Sequence, residues 1–254
     1  MTSNVAGYTN IQVKTVQKAA SGALDVIFDQ PYDEIPVVIL TPYWEGSGSH
    51  VGSIPTVTEI TKTGCKIVSR NAATNYFVNV LSASSGDTKL IDAHAQAGSV
   101  QKTGPSVGFE YRPPFNTSDP VTLLTSFWNG STGPVGNIDT LDDSGASEAK
   151  VVSGNSAVNY FTNYLTLEPG MRYGDDLRVD ANIVNKTASG KLRVYFLERF
   201  DTPPTVSLSP WWDDANSGVG SIETLTKVTN EYFELVSGNA ASNYFVSWVA
   251  VAER

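Results

Sequence analysis

The sequence holds 254 residues, 41% of them hydrophobic and 17% charged. This composition excludes collagen-like, low-complexity and wholly disordered classes, and Ser, Thr and Asn fill the room left by the missing charges. Carboxylates outnumber Lys and Arg by 26 to 17, a net charge of −9, which argues against a nucleic-acid partner because phosphate neutralisation calls for basic stripes.

The N-terminus, Met1-Thr-Ser-Asn-Val-Ala-Gly-Tyr8, has neither a basic start nor an apolar run, so no secretory signal is expected. Nowhere do eighteen apolar residues follow one another, so no membrane insertion is expected. Cys65 stands alone and only two His are present, with no metal-ligand spacing, so neither a disulfide nor a structural metal site nor any cofactor is expected. The lone thiol suits a reducing compartment, and the expected location is the cytoplasm, with any release non-classical. Asn116, Asn129 and Asn185 open Asn-X-Ser/Thr triplets, which matter only on a secretory route.

Strand signals run through the chain. In the first third they cover Ile11–Val16, Ala23–Asp29, Val37–Tyr43, Ser53–Thr61, Cys65–Ser69 and Tyr76–Leu81. These stretches are β-branched or aromatic, and turn chemistry separates them: Ala20-Ser-Gly22, Pro31-Tyr-Asp-Glu34, Gly46-Ser-Gly48 and Lys62-Thr-Gly64. The pattern returns over Leu177–Val184, Lys191–Leu197, Thr205–Trp211, Ser221–Thr226, Phe233–Ser237 and Tyr244–Val251. No stretch keeps a 3.6-residue apolar period for three turns. Six short strands per unit predict an all-β sandwich or small barrel.

The chain also repeats itself. Trp44, Trp128 and Trp212 are 84 apart, as are Gly52, Gly136 and Gly220, and Asn75, Asn159 and Asn243. Segments 37–77, 121–161 and 205–245 align without a gap, with 13 positions identical in all three: Leu40, Trp44, Val51, Gly52, Ile54, Thr56, Val68, Ser69, Asn71, Ala73, Asn75, Tyr76, Phe77 and their equivalents. Three tandem units of 84 residues, 1–86, 87–170 and 171–254, are therefore expected to pack as one body with pseudo-threefold symmetry. Each is small for a self-sufficient core, and no flexible linker separates them. Alternating strand direction puts the turn at Lys18–Gly22, the loop Trp44–Gly52 and the loop Asn71–Asn75 at one end of a unit. The identities Trp44, Val51, Gly52, Asn71 and Asn75 lie in or beside those loops, although loops usually drift between copies.

Val26-Ile-Phe-Asp-Gln-Pro-Tyr32, Pro36-Val-Val-Ile-Leu40, Thr63-Gly64 and the closing Asn243-Tyr-Phe-Val-Ser-Trp-Val-Ala250 resemble the H-type lectin domain. The resemblance covers most of each unit. It implies a six-stranded antiparallel sandwich that assembles as a trimer, and sites for galactose- or N-acetylgalactosamine-type sugars in clefts between neighbouring subunits. Three copies in one chain would then form a covalent pseudo-trimer. The sequence departs from the family at the loop before the last strand, which lacks its Trp residues, and at Thr56, Thr140 and Thr224, which align with a sugar-contacting Arg. The resemblance thus locates a site without naming its sugar.

A sugar needs a flat apolar face for its C–H side and planar amides or carboxylates for its hydroxyls. Each unit offers such a set: Trp44 with Asn71, Asn75 and Tyr76; Trp128 with Asn155, Asn159 and Tyr160; Trp212 with Asn239, Asn243 and Tyr244. Neighbours differ between copies, as Tyr43, Phe127 and Trp211 and as Glu45, Asn129 and Asp213, so three sites of unequal affinity are expected. Plainer readings stand beside these. Trp44 shares strand parity with Leu40 and so suits a core, the Asn side chains suit their own turns, and Tyr76 with Phe77 suits packing. Lys18, Lys102 and Lys186 read as solvated turn residues.

Catalysis has little to build on. The positions equivalent to His94 hold Asn10 and Arg178, and those equivalent to His50 hold Pro134 and Gly218, so no His-based triad recurs. Asp142-Asp143 and Asp213-Asp214 are adjacent pairs typical of turns, not carboxylates facing across a cleft. The expected function is that of a non-catalytic, multivalent lectin, an agglutinin or defence protein whose partners are glycans or glycoconjugates, with a further homo-oligomer open beyond the intrachain pseudo-trimer. The alternatives are a structural or receptor-attachment module of a virion or phage tail fibre and, third, a glycan-acting enzyme.

Overall fold

The computed structural model describes residues 11–90, 93–173 and 177–253. The Met1–Tyr8 start, Asn10 and the side chain of His94 lie outside that description. The first third forms β1 (Ile11–Gln17), β2 (Gly22–Ile27), β3 (Val37–Trp44), β4 (Thr56–Thr61), β5 (Gly64–Ser69) and β6 (Tyr76–Ala83). The middle third forms β7 (Gly86–Leu90), β8 (Ala93–Gln101), β9 (Ser106–Glu110), β10 (Val121–Trp128), β11 (Thr140–Ser144), β12 (Glu148–Val152) and β13 (Tyr160–Leu167). The last third forms β14 (Gly170–Tyr173), β15 (Leu177–Asn185), β16 (Gly190–Tyr195), β17 (Thr205–Trp212), β18 (Thr224–Val228), β19 (Tyr232–Ser237) and β20 (Tyr244–Glu253). No helix occurs among the described residues, so none is long and apolar enough to cross a membrane.

Alternation drives these strands. Along β16, Leu192 and Val194 point into a core while Lys191, Arg193 and Tyr195 are exposed, the period-2 pattern of a half-covered sheet. Within each third the strands stack as two layers. In the first, β1-β6-β3 and β2-β5-β4 enclose Val26, Val38, Leu40, Val57, Ile67 and Val80. Corresponding cores hold Phe109, Leu124, Leu141 and Val151 in the middle third, and Val194, Leu208, Phe233 and Trp248 in the last. A fourth core joins all three thirds through Val37, Ile39, Leu81, Val121, Leu123, Leu165, Val179, Val249 and Val251.

The sheets are not the self-contained antiparallel sheets expected from the sequence. Their orders are β1-β6-β3-β18-β19-β16, β2-β5-β4-β10-β13-β8-β7 and β14-β15-β20-β17-β11-β12-β9. Each sheet is mixed, because two antiparallel halves from different thirds meet at one parallel bridge: Tyr43 with Leu225, Phe127 with Val57, and Trp211 with Leu141. A short strand such as β4 would otherwise present an unpaired edge, and the neighbouring third satisfies it.

A bulge sits beside every seam, between Val57 and Glu59, Leu141 and Asp143, and Leu225 and Lys227. A bulged residue drops out of its ladder and frees a carbonyl. The loop that follows the neighbouring Trp takes it up: the Gly46 N–H donates to Thr226 O at 2.9 Å, Gly130 to Thr58 O at 2.9 Å and Asp214 to Asp142 O at 3.0 Å. Gly46 and Gly130 have φ of 71° and 75°, and Asp214 adopts 54° at the same place in its turn. Asp is one of the few non-glycine residues that tolerate this left-handed region.

Candidate functional site

The loops expected to share one end do meet. In the first third, the Lys18 N–H donates to Tyr76 O, Ala73 N–H to Lys18 O, and Glu45 N–H to Asn75 O. The second and last thirds repeat those three bonds around Lys102 and Lys186. Where they meet stands a fixed indole. Trp44 Nε1 donates to Asn75 Oδ1 at 3.2 Å, Trp128 to Asn159 at 3.1 Å and Trp212 to Asn243 at 3.2 Å. The same amides donate through Nδ2 to the carbonyls of Glu45, Asn129 and Asp213, so each Asn clamps a Trp loop to the loop before the last strand.

Trp44 takes the packing position that its strand parity predicts, with part of the ring left in solvent. It packs against the sandwich core on the Leu40 side and meets Tyr76 edge-on with centroids 6.4 Å apart, yet stays half-buried. Trp128 and Trp212 meet Tyr160 and Tyr244 in the same way. With Nε1 spent on Asn, what each indole still offers is ring surface.

Asn71, Asn155 and Asn239 hold the loops from within. Their Nδ2 groups donate to the backbone carbonyls of Ser53, Asn137 and Ser221 at 2.5, 2.6 and 2.6 Å. They also reach the hydroxyls of Tyr76, Tyr160 and Tyr244. Each of those Tyr side chains is 1% exposed, so Tyr76, Tyr160 and Tyr244 face the interior rather than a ligand. Burial raises all three phenols above their ordinary range, helped at Tyr160 by Asp139 and at Tyr244 by Glu223.

Sequence reasoning missed those two acids. Asp139 accepts from Tyr160 Oη at 2.5 Å, Ser153 Oγ at 2.6 Å and Thr162 Oγ1 at 2.7 Å. Glu223 Oε1 accepts from Tyr244 Oη at 2.5 Å, Ser237 Oγ at 2.6 Å and Asn239 Nδ2 at 3.0 Å. Pro55 stands 84 residues before Asp139, so the first third lacks the acid, and a 13-position identity search passes over it. Both acids line a cavity of about 50 Å³ with Leu40, Leu124 and Leu208. It is far too small for a sugar ring, since ligand pockets run to several hundred Å³.

The lysines correct an expectation. Lys18, Lys102 and Lys186 are 2%, 0% and 1% exposed, not solvated. Lys102 Nζ donates to the carbonyls of Gly104, Ser153 and Asn155 at 2.8, 2.9 and 2.5 Å. Lys186 donates likewise to Ala188, Ser237 and Asn239, and Lys18 to Ala20. Burial lowers all three ammonium pKa values, opposed at Lys102 by Asp139 and at Lys186 by Glu223. The signal was in the sequence: a lysine kept at one turn position in three copies needs more than water as a partner.

The remaining loop identities serve the seams. Thr56, Thr140 and Thr224 accept through Oγ1 from the N–H of Val135, Val219 and Val51, each at 3.0 Å. Variation is confined to the surroundings. The first Trp loop carries Glu45 and exposed His50, the second Asn129 and Pro134, the third Asp213 and Gly218. The Asp213 carboxyl is pushed up by desolvation and then by the carboxylates of Asp214, Asp143, Asp142 and Asp119, and the third loop, with Asp213 and Asp214, is the most acidic of the three. Cys65 is buried, and burial pushes its thiol up to about 12, so it is unreactive at neutral pH. Among the described residues, no three His, Cys, Asp or Glu side chains gather to hold a metal ion. No protein-family model and no curated protein matches this sequence.

Proposed function

We propose that the chain is a non-catalytic, multivalent carbohydrate-binding protein in which three related units form a covalent pseudo-trimer. Each unit contributes one glycan station, centred on Trp44, Trp128 or Trp212. The observation that carries this reading is the fixed, half-buried indole: its nitrogen is tied to Asn, so a rigid ring surface is left beside polar loops, as the C–H face of a sugar requires. The resemblance to H-type lectins supports galactose- or N-acetylgalactosamine-type ligands. The unequal loops support unequal affinities, and three weak stations on one body gain avidity on a glycan-covered surface.

A glycan array with the labelled intact chain tests this, followed by calorimetry with the best ligand. Trp44→Ala, Trp128→Ala and Trp212→Ala are the variants to compare, because Asn71, Asn155 and Asn239 hold the loops together and would confound loss of binding with loss of structure. Each Trp variant should lower the number of bound ligands by one while the protein stays folded. Silence across a broad array, or an unchanged stoichiometry in all three variants, would sink the reading.

A further inference from the structure

Each unit also presents the outer face of a three-stranded half-sheet, and the three faces differ in charge. On the first, Lys66 sits between Glu59 at 2.8 Å and Asp25 at 4.0 Å. On the second, Glu110 lies directly opposite Glu148, and the ammonium of Lys150 is held by Asp142 at 2.6 Å. On the third, made by β16, β19 and β18, the balance reverses. Lys191, Arg193 and Lys227 face outward with one carboxylate, Glu234, which bonds Lys191 at 3.0 Å and Arg193 at 2.6 Å. Arg193 lies over the Tyr232 ring at 4.3 Å and Lys227 at 5.3 Å. Tyr195, 63% exposed, tilts against Tyr232 at 5.7 Å.

This is a cationic, aromatic patch on a molecule of net charge −9. Lysines on an edge strand such as β16 can serve only to keep other strands away, but that role asks for neither an exposed Tyr nor a cation on the second strand in. The patch borders the first Trp loop, for Gly46 bonds the carbonyl of Thr226, the residue before Lys227.

We propose that this face binds the acidic sugar of a glycan, a carboxylate or sulfate held by Arg193, Lys191 and Lys227 with its ring against Tyr195. The proposal rests on the carbohydrate reading above and adds a charge preference to it. Three cations on one face of a chain whose net charge is −9 favour a short ligand with one or two charges over a long polyanion, which the rest of the molecule would repel.

Calorimetry on the intact chain with lactose, 3′-sialyllactose, 3′-sulfolactose and a six-nucleotide oligo-dT decides the matter. The two acidic sugars should bind roughly tenfold or more tightly than lactose, and about 0.5 M salt should erase most of that advantage. The pair Lys191→Gln and Lys227→Gln should abolish the preference while lactose binding stays. Tyr195→Ser should weaken the acidic sugars alone, and Lys66→Gln on the first face should change nothing. Lactose bound without any acid preference overturns this proposal only, as does a preference that survives in the Lys variants or an oligo-dT affinity equal to the acidic sugars'. If no sugar binds at all, the carbohydrate reading falls with it.

Discussion

Lys102 and Lys18 occupy the same turn in two copies with different surroundings, and the difference sets what each is worth. Lys102 satisfies three carbonyls near Asp139, whereas Lys18 satisfies Ala20 where Pro55 replaces the acid. Lys102→Met should therefore destabilise by at least about 3 kcal/mol, by orphaning buried acceptors, and Lys18→Met by clearly less; urea unfolding of the two variants measures the contrast. Titration adds a second expectation. Tyr32 and Tyr43 are pushed up to about 12 by burial, and Tyr76, Tyr111, Tyr160, Tyr164 and Tyr244 are raised as well. A raised phenol keeps its proton in the folded chain after the unfolded chain has lost it, so its stability is complete below pH 10 and lost as pH climbs towards 12. The lysines act in the opposite sense, because their lowered pKa values make folding gain as pH rises towards 10.5. Seven phenols outweigh three ammoniums, so the urea midpoint should drop steeply above pH 10; a flat profile to pH 11.5 would contradict the burial of these rings. A single turn lysine looks the same in a sequence whether it meets water or carbonyls, so the signal of its burial lies in the recurrence alone.

At the scale of elements, the strands were legible and their partners were not. Val37–Tyr43 was read and β3 runs Val37–Trp44; Phe233–Ser237 was read and β19 runs Tyr232–Ser237. Alternating β-branched and aromatic residues mark a strand whichever neighbour it pairs with, so the pattern holds no record of β4 meeting β10. Ser53–Pro55 was read as strand and is not, because the Ser53 side chain and backbone serve Arg70 and Asn71 and Pro55 lacks an N–H to give a ladder. β7 and β14 were missed, since Gly86-Asp-Thr-Lys-Leu90 and Gly170-Met-Arg-Tyr173 are short edge strands poor in β-branched residues. The recurrent Thr departs from the Arg that the resemblance would place there, and its seam bond supplies a reason for its recurrence. Thr140 Oγ1 accepts from Val219 and donates to Ile138 O. Thr140→Val keeps the shape and strands the buried Val219 N–H, at a cost of roughly 1–3 kcal/mol, while Thr140→Ser should recover most of it. Equal stability of the Val variant by thermal melting would show that the seam does not depend on this bond.

At the scale of the whole molecule, the chain closes on itself. The first sheet takes β3 from the beginning of the chain and β18 from near its end, and the other two sheets bridge the remaining pairs of thirds. The central core adds side chains from every third, from Ile11 to Val251. Each third has a sandwich core of its own, but none has a private set of sheets, and all three share the central core. Removing one strips a partner from two sheets at once and opens the central core to water. Two-state behaviour is usual for small domains and often fails for long chains built of several units, where domains melt one by one. Here the shared sheets set the opposite expectation: calorimetry of the full chain should show one transition whose calorimetric and van't Hoff enthalpies agree. A chain ended after Leu167 should unfold earlier or not fold at all, because β3 would lack β18, β11 would lack β17 and the central core would lose Val179, Val249 and Val251. Three resolved transitions in the full chain, or a shortened chain as stable as the whole, would mean that the seams add little beyond covalent tethering. The Trp loops depend on the same closure, since the loop after each Trp is anchored on a bulge in another third. A chain that opens at one seam should loosen the Trp loop at that seam before it loses its strands, and the emission of half-buried Trp44, Trp128 and Trp212 against buried Trp211 and Trp248 would report it during the melt.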